Sequence, residues 1–175
     1  LIPRKGVEWF ISDVIERLPS EVIYVIAGEG PKREEIEHAV HNRGLENRVF
    51  IVGRVNDDQR EMLFQTSDIF VMPNIRVDGD VEGFGIVAIE AAIQGLPVVA
   101  SNIEGINDAI IEGHNGFLVE TGNAQAFEEK LRNLLLETDL ESLSKKVAEY
   151  TRFNYSWEHV SNIYQKEFQL WEKKE

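Results

Sequence analysis

Short apolar runs alternate with helical periods along this chain, and this alternation constrains its fold more than any other feature. Each run is apolar throughout instead of at every second position, which indicates strands that are covered on both faces. The runs fall at residues 22–27, 49–52, 69–72, 98–100 and 116–119. The sequence therefore predicts an α/β fold, with a doubly wound parallel sheet and helices on both faces.

The segments between these runs have the spacing of amphipathic helices. We predict helices over residues 7–18, 31–42 and 57–66, another from Gly85 to Gly95, and a helical tail over 123–171 with breaks near Thr138 and Tyr155. Asn56 is a natural N-cap for the third of these helices. A doubly wound domain normally begins with a strand, whereas this chain enters a helix almost at once. We therefore expect that its first strand is absent.

The charge balance excludes one large class of partners. The chain has 31 Asp and Glu against 18 Lys and Arg, a net charge of −13. A nucleic-acid-binding face needs clustered basic residues, so no nucleic-acid partner is expected. Cysteine is absent, which excludes disulfides and thiolate chemistry. No apolar run approaches the ~20 residues that span a bilayer, and no signal peptide opens the chain, so a cytoplasmic location is predicted.

The segment 73–101 combines a glycine-rich turn with an apolar helix. Gly83 and Gly85 flank Phe84 immediately before that helix. Free amides at a helix N-terminus, together with the helix dipole, favour an anion, and glycines let a ligand approach the backbone. The alternative is that these glycines only form a tight turn.

Two glutamates flank this turn. Glu90 lies in a helix that is apolar almost all round, where a carboxylate needs hydrogen-bond partners. A vicinal diol such as a ribose would supply two donors. Glu82 stands just before the turn. The alternatives are that Glu90 follows one exposed stripe and that Glu82 is a solvated loop charge.

These residues form one combination, which consists of Glu82, Gly83-Phe84-Gly85, Glu90 and the run at 95–100. The combination resembles the signature of the family 4 retaining glycosyltransferases, whose architecture is called GT-B. The resemblance covers nearly the whole chain. It includes the basic turn at 4–6, the strand and turn at 26–31, the strand at 49–55, the late turn and strand at 113–119, and the start of the last helix at 155–157.

The resemblance implies a role for each matching residue. Glu82 would hold hydroxyls of the transferred sugar, and Lys5, with Arg4, would neutralise the diphosphate and assist its departure. Glu90 would bind the ribose. Backbone amides would face the sugar and diphosphate at Gly83, Phe84, Gly85 and Ile86, and main-chain groups would meet the base around Arg54 and Val55. Neither a metal nor another cofactor is implied, because the nucleotide sugar is a substrate.

The resemblance also implies a single Rossmann-like donor-binding domain over 1–175, without the N-terminal acceptor domain of the family. That domain forms the other wall of the active-site cleft, so we predict that this chain alone transfers no sugar. Peripheral membrane association through the absent domain stays open. A non-catalytic module that binds nucleotide or carbohydrate is the alternative function.

Three shorter patterns bear on ligand choice. The loop at 75–81 is similar to that of mannosyltransferases that build phosphatidylinositol mannosides, which hints at GDP-mannose beside UDP-sugars as donor. Asp78-Gly79-Asp80 fits a three-residue metal motif of another glycosyltransferase architecture. The glycine-rich helix start does not fit that architecture. Gly28 and Gly30 begin a dinucleotide fingerprint that fails at Arg33.

Overall fold

The computed structural model describes residues 1–80 and 82–172. The strands are β1 Tyr24–Ala27, β2 Val49–Gly53, β3 Phe70–Met72, β4 Val98–Asn102 and β5 Gly116–Glu120. The helices are α1 Val7–Asp13, α2 Arg33–Asn42, α3 Asp57–Thr66, α4 Ile86–Ile93, α5 Ala124–Glu137, α6 Leu140–Asn154 and α7 Trp157–Glu172. Each predicted strand and helix is present, with ends shifted by a few residues. The first predicted helix is shorter, because the chain tightens into a 3-10 turn at Ile15–Arg17.

All strand pairs are parallel, as predicted. β1 pairs with β2, and β4 lies between β3 and β5. The hydrogen bonds thus define a two-stranded and a three-stranded sheet. Parallel neighbours need crossover connections, which α2 supplies between β1 and β2 and α4 between β3 and β4, whereas residues 103–115 connect β4 to β5 through turns.

Two apolar clusters cover β4 from opposite sides. Val99 belongs to a cluster that includes Phe10 of α1 and Phe127 of α5. Val98 belongs to the other cluster, which includes Val147 of α6. Helices therefore cover both faces of this sheet, and the predicted fold class is confirmed.

The strands β1 and β2 are covered on one face only. Ile26 packs in the first cluster, whereas Val25, Phe50 and Val52 are 39%, 44% and 47% exposed. Alternate residues of a strand face opposite sides, and no described element covers the second side. The prediction that these two runs are buried on both faces is therefore wrong for that side.

Local capping and the tail follow the sequence closely. The Asn56 side chain caps α3 by accepting a hydrogen bond from the Gln59 backbone amide, and the Asn56 backbone amide donates one to Gln59 Oε1. In the tail, α7 leaves Trp157 90% and Trp171 75% exposed, so this helix presents large apolar side chains to solvent. Among the described helices, none combines the length and apolar character needed to cross a bilayer.

Candidate functional site

The basic turn near the start of the chain docks against the end of β3. The 3-10 turn Pro3–Lys5 ends at Gly6, which has φ of 64°. A Cβ at Gly6 would overlap the carbonyl oxygen of Pro73, and the Ile75 amide donates to the Arg4 carbonyl over 3.0 Å. Backbone contacts thereby hold the two basic side chains beside the loop that follows β3.

These two cations meet two carboxylates and one buried amide. Lys5 Nζ lies 2.5 Å from Glu82 Oε2, and Arg4 Nη1 lies 2.7 Å from Asp80 Oδ1. Arg4 Nε is 3.5 Å from Glu82 Oε2. Asn74, which is 2% exposed, donates from Nδ2 to the same Glu82 oxygen over 2.8 Å. The structure therefore joins Glu82 and Lys5, which sequence analysis had paired functionally, into one bonded cluster.

Glu82 carries its charge in spite of its burial. The Glu82 side chain is 12% exposed, and this burial by itself would raise its pKa. The hydrogen bond and charge of Lys5, the amide of Asn74 and the charge of Arg4 together outweigh burial, so the pKa of Glu82 is lowered. The carboxylate is therefore ionised at neutral pH and acts as a hydrogen-bond acceptor.

The start of α4 offers backbone amides. Gly85 is the N-cap residue, with φ of 64°, and no side chain caps the helix there. The first amides of a helix have no partners within it, and the helix dipole makes this end positive. Gly83, Phe84 and Ile86 are exposed at this end, and Gly85 is buried. This arrangement suits an anion or a sugar hydroxyl.

Glu90 lies one turn further along α4, on its open side. Its side chain is 41% exposed, while Ala88, Ile89 and Ala91 are buried. Arg60 Nε of α3 lies 3.9 Å from Glu90 Oε2. The carboxylate is therefore partly accessible, and its described charge partner comes from α3 and not from the Glu82 cluster.

Arg54 and Val55 lie between β2 and α3. Arg54 is exposed and Val55 is partly buried. The Gly28 amide donates to the Gly53 carbonyl over 2.7 Å, which brings the ends of β1 and β2 together. Residues 54–55 therefore lie at the carboxyl ends of the parallel strands. Doubly wound domains bind ligands at these ends.

Sequence analysis assigned no role in the donor site to three residues that shape it in the structure. Asn74 and Asp80 bond to its charged groups, as described above. Gly105 lies in the turn after β4 with φ of 83°, and a Cβ there would overlap the carbonyl oxygens of Glu82 and Gly83. The only signal in the sequence was the glycine itself, which does not identify its neighbour.

The two aspartates of the 78–80 turn have different surroundings. Asp80 is paired with Arg4, and Asp78 is exposed to solvent. Within residues 1–80 and 82–172, no group of three potential ligands is arranged to hold a metal ion. Val81, the last residue of the loop that resembles mannosyltransferases, lies outside the described residues.

Comparison with known proteins identifies the family. The model of the family described as "Glycosyl transferases group 1" matches residues 1–153. A GDP-mannose-dependent alpha-(1-6)-phosphatidylinositol monomannoside mannosyltransferase of Mycobacterium tuberculosis is 31% identical over 144 residues, 79% of this chain and 37% of that protein. A D-inositol 3-phosphate glycosyltransferase of Corynebacterium urealyticum is 30% identical over 85% of this chain and 35% of its own length. The chain thus spans less than half the length of these relatives.

Solved structures agree with this assignment. HepE of Anabaena in complex with UDP has a TM-score of 0.80 and 23% identity, over 99% of this chain and 46% of that chain. The C-terminal domain of a group 1 glycosyl transferase, LpcC, from Francisella tularensis has a TM-score of 0.69 and 25% identity, over 94% of this chain and 82% of that chain. With most of its length matched by the family model, this chain belongs to the group 1 glycosyl transferases, and its fold is the Rossmann-like half of the GT-B architecture.

Proposed function

We propose that this chain is the donor-binding domain of a retaining hexosyltransferase and that it binds a nucleotide-diphospho-sugar. The observation that carries the proposal is the cluster of Lys5, Arg4 and Glu82 against the loop that leads to the uncapped start of α4. Cations and open amides suit a diphosphate, and an ionised carboxylate suits sugar hydroxyls. The family membership supports a transferase.

The chemistry follows from where charge develops. A diphosphate leaving group gains negative charge as the glycosidic bond breaks, and donors already aimed at it lower the barrier. Lys5, Arg4 and the amides at Gly83, Phe84, Gly85 and Ile86 would supply this stabilisation. Glu82 would accept hydrogen bonds from the sugar. In this proposal the protein's own cations replace a metal ion.

The nucleoside would bind at the other end of the site. Glu90 is accessible on α4 and can accept two hydrogen bonds from the ribose diol. Main-chain groups of Arg54 and Val55, at the end of β2, would contact the base. Arg60 of α3, whose Nε lies 3.9 Å from Glu90 Oε2, would keep the carboxylate oriented.

Two donor classes are supported by different relatives. The mycobacterial relative is named as GDP-mannose-dependent, and the Anabaena structure contains UDP. We therefore propose GDP-mannose or a UDP-sugar as donor and leave the acceptor open. A mannosyltransferase is the form of the proposal that the sequence of the 75–81 loop favours.

Sugar transfer needs an acceptor site in addition to a donor site. The matched region is less than half of the named relatives, and one similar structure is a C-terminal domain. We propose that an N-terminal domain supplies the acceptor site and any contact with a membrane surface. A cytoplasmic location stays a prediction of the sequence. Sugar transfer by the 175-residue chain alone would contradict this division of labour.

Nucleotide binding tests the proposal directly. Isothermal titration with GDP, UDP, ADP, GDP-mannose and UDP-glucose is expected to give a measurable Kd for at least one of them. Glu90→Gln should weaken that binding about threefold to tenfold, because a charged acceptor for the ribose is lost. Glu21→Gln is the matched control, because Glu21 is exposed before β1, at the opposite end of the strand. A folded chain that binds none of these nucleotides would refute the proposal.

A further inference from the structure

The charges beside the start of α4 already cancel one another. Arg4 and Lys5 contribute two positive charges, and Asp80 and Glu82 contribute two negative charges within 2.5 to 3.5 Å. The chain as a whole carries a net charge of −13. An incoming diphosphate therefore meets Arg4 and Lys5 already paired with carboxylates, and it must compete with those carboxylates for them.

Arg4 is held incompletely by its present partners. Its Nη1 atom donates to Asp80, but its Nε atom is buried and has no hydrogen-bond partner among the described residues. A buried donor without a partner is unfavourable, and a guanidinium can bind a phosphate through two parallel hydrogen bonds. Asp80 therefore uses only one donor of Arg4 and leaves hydrogen-bonding capacity on the guanidinium for a phosphate.

Asp80 is the more replaceable of the two carboxylates. Its side chain is 39% exposed and makes one ion pair, whereas Glu82 is 12% exposed and contacts Arg4, Lys5 and Asn74. Asp80 lies in a short turn, in which the Asp80 backbone amide donates to the Val77 carbonyl over 3.1 Å.

We propose that Asp80 is an affinity-determining residue, a built-in counter-ion that competes with the donor's diphosphate for Arg4. Donor binding then breaks the Arg4–Asp80 ion pair and transfers Arg4 to a phosphate oxygen. The inference rests on the proposed function, because it takes a diphosphate as the ligand of Arg4. It assigns to the 76–80 turn a role in setting how tightly the donor binds.

The loop contains its own control. Asp78 lies two residues from Asp80 and is exposed, and no ion pair of Asp78 occurs within the described part of the chain. D80N and D78N change the net charge equally, but only D80N removes the direct partner of Arg4. Isothermal titration of both variants and of the parent chain with UDP, GDP, UMP and GMP separates these effects.

We expect D80N to tighten binding of the preferred diphosphate by about twofold to fivefold, the range of a partly exposed ion pair. The gain should be smaller for the corresponding monophosphate and for D78N. D80S, which removes the same charge with a smaller side chain, should also tighten binding. In an R4Q background the gain from D80N should disappear, because the competing contact no longer exists.

The outcomes separate this inference from the proposed function. Equal effects of D80N and D78N, weaker binding by D80N and D80S, or a gain that persists in R4Q would overturn the role of Asp80 while nucleotide binding stands. Failure of the folded parent chain to bind either diphosphate would overturn the proposed function and this inference with it.

Discussion

Glu82 and Glu90 stand eight positions apart in the sequence, yet their surroundings differ sharply. Glu82 is 12% exposed, with Lys5 at 2.5 Å and the Asn74 amide at 2.8 Å. Glu90 is 41% exposed, and its described cation, Arg60, is 3.9 Å away. The first carboxylate is held by the protein, and the second is largely free to take a ligand.

This difference has a consequence for binding. A ligand hydroxyl at Glu90 replaces mostly water, so little of the protein must rearrange. A ligand at Glu82 meets a carboxylate whose Oε2 already accepts hydrogen bonds from Lys5 and Asn74, and in our proposal a diphosphate also draws Arg4 from Asp80. The nucleoside end of the proposed site is therefore prepared for binding, whereas the sugar and diphosphate end exchanges partners.

Gly105→Ala should have the largest effect on stability, and it acts at the Glu82 end of the proposed site. The new Cβ would overlap the carbonyl oxygens of Glu82 and Gly83, and the backbone at φ of 83° is strained for alanine. We expect a loss of about 2–4 kcal/mol in the free energy of unfolding, measured by urea denaturation.

Gly113→Ala controls for the strain alone. Gly113 has φ of 76°, and a Cβ there would meet no atom within 4 Å. Gly113→Ala should lower the free energy of unfolding by about 1 kcal/mol, the usual penalty of the left-handed conformation for alanine. Equal losses at the two glycines would mean that the Gly105 contact does not support the Glu82 backbone.

Glu82→Gln should have an intermediate effect that depends on pH. Because the folded pKa of Glu82 is lowered, its charge stabilises the fold fully above the unfolded pKa of about 4.3 and loses this effect as pH falls through the folded value. We expect a loss of about 1 kcal/mol at pH 7 that shrinks below about pH 4, measured by denaturation across pH. Glu21→Gln is the control, and a pH-independent difference would contradict an ionic origin.

The fold could be predicted well because local signals agree with the global arrangement. The apolar run of β4 is buried on both faces, and Asn56 caps α3 where the sequence placed it. The same reasoning failed at Val25 and Phe50 because an apolar run indicates what a strand can bury, not which element covers it. Coverage depends on long-range packing that periodicity does not contain.

The sequence indicated several residues of the candidate site but not the hydrogen bonds and ion pairs between them. The glycines around Phe84 and the two glutamates indicated the candidate region, and the resemblance to a family added Lys5. The partners Asn74, Asp80 and Gly105 came from three-dimensional contacts across the 73–83 loop and the turn after β4. Polar and small residues in loops are common, so their types alone do not indicate these contacts.

Glu90→Gln should have the smallest effect on stability, which completes the contrast with Glu82. A partly exposed ion pair whose atoms are 3.9 Å apart contributes little, so we expect a change within about 0.5 kcal/mol at pH 7 by the same urea denaturation. Arg60→Gln should change stability as little. If Glu90→Gln instead destabilises the chain as much as Glu82→Gln, Glu90 has a structural role, and the idea that it is kept free for a ribose loses its basis. A small change in stability together with weaker nucleotide binding would indicate that Glu90 acts in ligand binding and not in folding.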